Sequence, residues 1–241
     1  METNNSFGTA MEERAKHDDD RLSALPDDVL LAVLQLLDAG TAVRAGALAR
    51  RWRHLRCLLT DLTIDVADLV PPSPDPSSPC RTVHDMMTAY TAATAWFLTP
   101  NKQRSIKSLR LTFYLVDPYL RSIGDAVAES GCGSTAEPLE FTILADVDAL
   151  TVNDAECAML AARLMSFLGA CPVAFSGLTR LSLQNLCFGD SDISDLLNAC
   201  SRLELLSLSH CGSSSDFRAT DRRSDIFAPD LGNPRAFLPW S

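Results

Sequence analysis

The sequence predicts an α/β protein in which three short helices precede an irregular set of repeats with parallel strands. Two observations lead to this fold class. Three helical patterns are packed into residues 20–56, and the leucine spacing LxxLxL, or a close relative of it, recurs four times between residues 106 and 208. Because parallel strands need a long crossover connection, commonly a helix, repeats of this length favour a stack of parallel strands.

The first helical pattern starts at Leu25-Pro26. Proline suits the first helical turn because its missing N–H costs nothing there, and the following Asp27 and Asp28 place negative charge at the positive end of the helix dipole. We expect the helix to stop at residues 38–40 and Thr41 to cap the next one. One broad apolar stripe is formed by residues at helical spacing: Val29, Leu30, Val33, Leu34 and Leu37.

The second and third helical patterns are short. The second carries small side chains between Ala42 and Leu48, and the third places Leu48, Trp52 and Leu55 on one side among four arginines. A segment of about 40 residues rarely buries enough surface to be stable alone. We therefore expect part of the apolar surface of residues 20–59 to be completed by another subunit.

These residues resemble the F-box of plant F-box proteins with leucine-rich repeats. The family usually carries a second tryptophan at the position where this chain has Arg56. The resemblance implies a three-helix F-box over residues 20–59 that binds a Skp-type adaptor, and through it the cullin and RING subunits of a ubiquitin ligase. The matching pieces, in order and spacing, are Asp20-Arg21-Leu22-Ser23, Leu25-Pro26-Asp27-Asp28-Val29-Leu30, Ala42-Val43-Arg44 and Arg50-Arg51-Trp52-Arg53.

Docking of an amphipathic helical face against a partner is a common mode of protein recognition, and tryptophan is enriched among the residues that dominate interface energies. The alternative for each candidate is that it packs the three helices together. The predicted adaptor-binding residues are Leu25, Pro26, Val29, Leu30, Val33, Leu34, Leu37, Val43 and Trp52.

Residues 60–212 are predicted to form an irregular leucine-rich-repeat solenoid with parallel strands, which includes a short strand at 62–66 and a proline-rich loop at 71–79. The repeat copies begin at residues 106, 136, 178 and 203, and only the last gap falls within the roughly 20–29 residues usual for such repeats. Helices are expected over 83–98, after Asp117-Pro118, from Thr151 and from Ser191. Cys171 and Cys200, which follow two of these helices, are expected to be buried wedges before the next strand.

Alternate side chains of the strands are expected to point into the concave face of the solenoid, where a protein substrate would bind. The alternative for each of these residues is simple solvation. The predicted substrate-facing residues are Arg110, Thr112, Arg180, Ser182, Gln184, Ser207 and Ser209.

Composition and the absence of certain motifs argue against several classes of function. The net charge of −10 argues against a general nucleic-acid or anionic-membrane binder. The eight cysteines include no CxxC pair and the four histidines are scattered, which predicts no metal site. Walker, GxGxxG and GxSxG motifs are absent from the sequence, so neither catalysis nor a cofactor is expected. With no secretory signal at the N-terminus, we expect reduced thiols and a cytoplasmic or nuclear location.

We interpret the chain as a non-catalytic substrate-recognition subunit of an SCF-type (Skp–cullin–F-box) ubiquitin ligase. Two alternatives stay open: a shortened competitor or scaffold that binds the adaptor without delivering a substrate, and a helix-turn-helix DNA-binding protein, because five arginines lie between Arg44 and Arg56. Residues 1–19 are predicted to be a disordered tail. Residues 213–241 are predicted to be an irregular segment that either caps the repeats or is disordered.

Overall fold

A computed structural model describes residues 25–48, 50–69, 82–100, 105–132, 137–146 and 153–213. The predicted tail 1–19, the motif residues Asp20 to Ser23, the proline-rich loop 71–79 and all but the first residue of the segment 213–241 lie outside the described residues.

Three helices open the described chain: α1 (Asp27–Leu36), α2 (Ala39–Leu48) and α3 (Arg50–Leu55), followed by a 3₁₀ turn, Arg56–Leu58. The start of α2 differs from the prediction. Its cap is the Asp38 carboxylate, which accepts hydrogen bonds from the Thr41 backbone N–H at 2.7 Å and from the Thr41 hydroxyl at 2.8 Å. An aspartate that accepts the amide three residues ahead is a strong N-cap, so residues 39 and 40 belong to the helix and do not end the one before.

Five parallel strands form one sheet whose spatial order follows the chain: β1 (Asp61–Asp65), β2 (Ser108–Tyr114), β3 (Leu139–Leu144), β4 (Arg180–Gln184) and β6 (Leu205–Ser209). A smaller parallel sheet pairs β5 (Cys187–Phe188) with β7 (Gly212–Ser213). Each of β2, β3, β4 and β6 contains the central residues of one predicted repeat, and β1 overlaps the predicted strand 62–66 except for Val66, which belongs to the following 3₁₀ turn. The predicted α/β class with parallel strands is confirmed.

Five helices connect the strands: α4 (Val83–Leu98), α5 (Tyr119–Ser130), α6 (Asp154–Ala170), α7 (Pro172–Ser176) and α8 (Asp192–Ala199). A second 3₁₀ turn, Val66–Leu69, follows β1. Capping boxes begin α4 and α6, where Thr82 pairs with Asp85 and Asn153 with Glu156. Four of these helices were predicted, and α7 is a short additional turn.

The core lies between the sheet and its connecting helices. Ile64, Leu111, Phe141, Leu181 and Leu206 are neighbours across the five strands, and all are buried. Phe141 contacts two further rings edge-on, Phe113 at 5.6 Å and Phe175 at 5.9 Å between centroids. Because α1 and α3 contribute Leu30, Leu34 and Leu55 to the same cluster, the three N-terminal helices pack on the repeat region.

The cysteine wedges that the sequence predicts are present. Cys171 and Cys200 are both buried, and a Cβ added at Gly124 in α5 would lie 2.3 Å from the Cys171 sulfur. Burial raises the pKa of Cys200 to about 12, so this thiol is neutral at physiological pH. The close contact at Gly124 explains why a glycine stands in the middle of that helix.

Candidate docking surfaces

Helix α1 is apolar on two sides. Leu30 and Leu34 are 0% and 2% exposed and face the core, whereas Val29 and Leu36 are 40% and 86% exposed. Val29 and Leu36 are seven residues apart, which places them on one side of the helix. Ala32, between them on that side, is also exposed. We call Val29, Ala32 and Leu36 the outer face of α1.

The structure separates the predicted adaptor-binding residues into three groups. Leu30, Leu34 and Trp52 are buried within the chain, in one cluster with buried residues of the repeat region. Leu25, Val33, Leu37 and Val43 are half-buried, and Pro26 and Val29 are exposed. The sequence argument missed Leu36. Its indication in the sequence was that it is an apolar residue of the first helix that lies outside the predicted stripe.

Trp96, a residue of α4 in the repeat region, contacts the N-terminal part of the chain at two residues. The guanidinium carbon of Arg56 lies 4.6 Å from the ring centroid of Trp96 in α4, and the same indole packs so closely on Gly46 in α2 that an added Cβ would lie 2.4 Å from it. The position where the family usually carries tryptophan thus holds an arginine that stacks on a tryptophan from another helix.

The arginines of residues 44–56 make contacts within the chain. Arg44 donates to the Thr41 hydroxyl at 2.8 Å, Arg51 to the Asp27 carboxylate at 2.6 Å, and Arg56 to the Arg53 carbonyl at 3.0 Å. Arg53 donates to the Gly46 carbonyl at 3.4 Å. These four arginines therefore each make a contact within the chain, and Arg44 and Arg53 are exposed.

The face of the sheet opposite the core carries mostly polar side chains, together with the half-buried Tyr114, Leu144 and Leu205. All seven predicted substrate-facing residues lie on it, since their neighbours in each strand point into the core. Thr112, Ser182 and Ser207 belong to one row across the strands, and Arg110 and Arg180 belong to the next. We call this surface the open face.

A carboxylate absent from the predicted set organises the arginine row. Glu140 on β3 stands between Arg110 and Arg180 in the strand register. The Arg110 Nε lies 3.1 Å from Glu140 Oε2, and the Arg180 Nε lies 3.8 Å from Glu140 Oε1. Glu140 directly precedes Phe141 in the degenerate repeat. Because the side chains of a strand alternate between its two faces, this position in the sequence indicated that Glu140 lies on the open face.

A cleft of about 270 Å³ lies between the N-terminal helices and the open face. Leu34 and Leu37 line one wall, and Asp61, Ser108 and Arg110 line the other. The hydrogen bond from Ser108 to Asp61, at 2.8 Å, is the main reason why the pKa of Asp61 lies below its usual value. The cleft wall therefore carries an ionised carboxylate at neutral pH.

Within the described residues, no group of three or more histidine, cysteine, aspartate or glutamate side chains is placed to hold a metal ion. Nor does that part of the chain contain a helix long and apolar enough to cross a bilayer.

Two Arabidopsis thaliana proteins are similar to this chain. One, named as an F-box/FBD/LRR-repeat protein, is 25% identical over 200 residues, which cover 79% of this chain and 42% of the relative. The other, named as an F-box/LRR-repeat protein, is 23% identical over 209 residues, which cover 80% of this chain and 38% of the relative. The chain thus spans about two fifths of the length of each relative. No protein-family model and no solved structure matches it.

Both relatives carry the family name to which the motifs between Asp20 and Arg53 pointed. The similarity covers about four fifths of this chain and so extends beyond those motifs into the repeat region. These findings support the assignment of the chain to the plant F-box proteins with leucine-rich repeats.

Proposed function

We propose that this chain is a non-catalytic substrate-recognition subunit of an SCF-type ubiquitin ligase. In this role the N-terminal helices bind a Skp-type adaptor, which connects the chain to cullin and RING subunits, and the open face binds a protein substrate. The subunit acts by holding a substrate near a carrier protein that is loaded with ubiquitin. This raises the effective concentration of the substrate at the carrier. A cytoplasmic or nuclear location follows from this role.

The outer face of α1 carries the adaptor part of the proposal. Leu36 is 86% exposed although it lies on a helix whose opposite side is fully packed. Fully burying an exposed leucine side chain is worth about 1.5–3 kcal/mol, so Leu36 supplies most of the apolar energy of this face, and Val29, which is 40% exposed, adds a smaller part. The half-buried Leu25 and the exposed Pro26 extend the same surface toward the start of the helix.

The arginine contacts support this role over DNA binding. A DNA-binding helix needs arginines that are available to phosphates and base edges. Arg51 instead pairs with Asp27, and Arg56 stacks on Trp96. The competitor role that the sequence left open stays a prediction.

The adaptor part is tested by titrating a purified plant Skp-type adaptor into the chain in a calorimeter. We expect Val29→Glu combined with Leu36→Glu to weaken binding at least a hundredfold, because two charges would be buried in an apolar contact. The matched control is Met159→Glu combined with Val173→Glu, which changes two exposed apolar residues on α6 and α7 and should leave the affinity unchanged.

Circular dichroism should show the same helix content in both double variants, since all four side chains are exposed by 40% or more. Adaptor binding that survives the change on the outer face of α1 would contradict this assignment. The predicted adaptor-binding residues Leu25 and Pro26 are tested in the same titration by replacing both with alanine, which should abolish adaptor binding.

A further inference from the structure

The last repeat that the structure describes covers its apolar side chains less completely than the repeat before it. Leu183 of β4 is 0% exposed, whereas Leu208, its neighbour on β6, is half-buried. Leu168 in α6 and Leu197 in α8 each stand three residues before a buried cysteine, yet they are 8% and 38% exposed. The apolar layer is thus less covered at the end of the stack that β6 and α8 form.

The turns after the last two strands of the large sheet differ in the same way. In the small sheet, Gly212 pairs with Cys187, so Cys211 is equivalent to Leu186. Leu186 is 1% exposed, but Cys211, which behaves as a small apolar residue, is half-buried. Strand, turn and helix of the last repeat therefore each carry an apolar side chain that is only partly covered.

Strand β6 also presents backbone groups at its outer edge. It stands last in the order of the five-stranded sheet, and no described strand pairs with its other side. The N–H of Leu205 and the carbonyl of Ser209 both bond to residues that flank β4. Since alternate residues of a parallel strand bond to opposite neighbours, the N–H and C=O groups of Leu206 and Leu208 point to the outer edge. Such an edge pairs readily with another chain segment.

Residues 214–241 start directly after β7 and have a composition that suits this surface. Four aspartates balance four arginines in the segment, so it has no net charge, although the whole chain carries −10. Leu231 lies 25 residues after Leu206, the same spacing that separates Leu206 from Leu181. The segment contains seven large apolar residues: Phe217, Ile226, Phe227, Leu231, Phe237, Leu238 and Trp240.

We propose that residues 214–241 cover the outer edge of β6 and the exposed Leu197 of α8, and so close the repeat stack. This selects one of the two alternatives that the sequence left open for the segment. Because the segment is attached to Ser213, its effective concentration at the edge is in the millimolar range, whereas a second copy of the chain must associate from solution. Two copies that each carry −10 also repel one another, and the uncharged segment meets no such repulsion.

The segment is long enough to make this contact. β6 has five residues and is therefore about 17 Å long, whereas residues 214–241 can extend over about 90 Å. A parallel pairing needs a crossover of about a dozen residues or more, and residues 214–230 provide it before Leu231. A covered edge limits the open face to the five strands described, since no further strand can be added beside β6.

The test is hydrogen exchange of the full chain, followed by mass spectrometry that resolves single amides in residues 203–213. We expect the amides of Leu206 and Leu208 to be protected from exchange, because the segment shields them from water. The protection should be equal at chain concentrations of about 1 µM and about 50 µM, because an attached segment does not depend on association.

Variants of the segment show whether it provides the cover. Four apolar residues are replaced together by aspartate: Phe227→Asp, Leu231→Asp, Phe237→Asp and Leu238→Asp. Exchange of the Leu206 and Leu208 amides should then become about tenfold faster, because the charged side chains cannot be buried against Leu208. The matched control adds the same charges at polar positions of the segment and should leave exchange unchanged: Thr220→Asp, Ser224→Asp, Asn233→Asp and Ser241→Asp.

Amides of the central strand β3 report on the folding of the rest of the chain and should keep their protection in both variants. If β3 loses protection when the four apolar residues are replaced, alanine at the same four positions takes the place of aspartate, and the same faster exchange at β6 is expected.

Rapid exchange of Leu206 and Leu208 in the native chain would overturn the proposal, as would protection that persists in the variant with altered apolar residues. Protection that rises with chain concentration, together with a dimer in sedimentation velocity, would assign the edge to a second copy and would equally overturn it. Adaptor affinity measured on the same preparations should not change, so these outcomes are distinct from a failure of the proposed function.

Discussion

Helix α1 and strand β3 both bury one apolar side, but they differ in what lies on the other. The far side of α1 carries Val29 and Leu36, which are exposed. The far side of β3 carries the polar Glu140 and Thr142 and the apolar Leu144, all half-buried. Apolar surface left in water drives association through a large non-directional term, whereas polar surface contributes mainly to specificity. In the proposed function, the helices would therefore supply the stronger docking energy and the sheet the selectivity.

Glycine contacts show how tightly the two regions are joined. A Cβ added at Gly40 in α2 would lie 2.1 Å from the backbone oxygen of Asp68. The turn after β1 therefore touches α2 backbone to backbone, a contact that only glycine permits at this distance. Together with the Arg56–Trp96 contact, this approach holds the outer face of α1 in a set direction relative to the open face.

The largest expected effect is on the free energy of unfolding, and it compares the removal of a buried apolar side chain with the removal of an exposed one. Phe141→Ala removes a side chain that is 1% exposed and packs between two other rings, and it should lower the free energy of unfolding by about 3–5 kcal/mol. Leu36→Ala removes an exposed leucine and should change it by less than about 0.5 kcal/mol. Urea denaturation, monitored by circular dichroism, measures the free energy of unfolding of both variants. An equal loss of stability in the two variants would contradict this difference between buried and exposed residues.

A smaller effect is expected at the close backbone contacts. Gly40→Ala and Gly124→Ala each place a methyl group within 2.5 Å of a neighbouring atom, and each should lower the free energy of unfolding by about 1–3 kcal/mol. Gly169 in α6 has no atom within 4 Å of an added Cβ, so Gly169→Ala should raise stability by about 0.4–1 kcal/mol. Thermal melts of the three variants check the signs, and a stabilised Gly40→Ala would show that α2 and the turn can separate.

An effect of comparable size concerns the cap of α2. Asp38→Ala should cost about 1 kcal/mol. Burial alone would raise the pKa of Asp38, but hydrogen bonds from the Thr41 backbone N–H and hydroxyl, together with Arg44, bring it below its usual value. A lowered carboxyl pKa stabilises the fold above the unfolded value of about 3.9, and this contribution is lost as pH falls through the folded value. The difference between Asp38→Ala and the native chain should therefore shrink on acidification below about pH 4.

The pKa of Asp68 is shifted in the opposite direction to that of Asp38. Burial, followed by the charges of Asp65 and Asp38, raises the pKa of its carboxyl group. A raised pKa means that the charged form is disfavoured in the fold, so this group destabilises the protein at neutral pH and ceases to do so when protonated. Asp68→Asn should accordingly raise the midpoint of urea denaturation at pH 7 and have no such effect at pH 3. A lowered midpoint at pH 7 would refute this assignment.

Local patterns were sufficient to predict most elements of the fold. The apolar spacing over residues 83–98 predicts α4 at its observed bounds, and the leucine spacing of the last two repeat copies predicts the strands β4 and β6. The start of α2 was missed because Asp38 and Thr41 are both good capping residues. Only the backbone geometry selects the one whose side chain meets the amide three residues ahead.

The candidate surfaces were less predictable, since burial depends on what lies opposite a side chain. In the sequence, Leu34 and Leu36 are equally apolar. In the structure, Leu34 packs against the core and lines the cleft beside Asp61, and Leu36 points to water. Likewise, nothing near Arg110 in the sequence indicates that Glu140, 30 residues later, lies beside it.

The sequence by itself determined the order of helices and strands, the polar side of each strand and the resemblance to F-box proteins, because these depend on residue type and on spacing along a few turns. Only the tertiary structure decided which apolar residues of α1 remain outside, where Trp96 meets Arg56, and how Glu140 joins two arginines. The physical reason is that the ion-pair and stacking contacts link residues from 30 to 40 positions apart in the chain, and their geometry is set by the packing of the whole sheet.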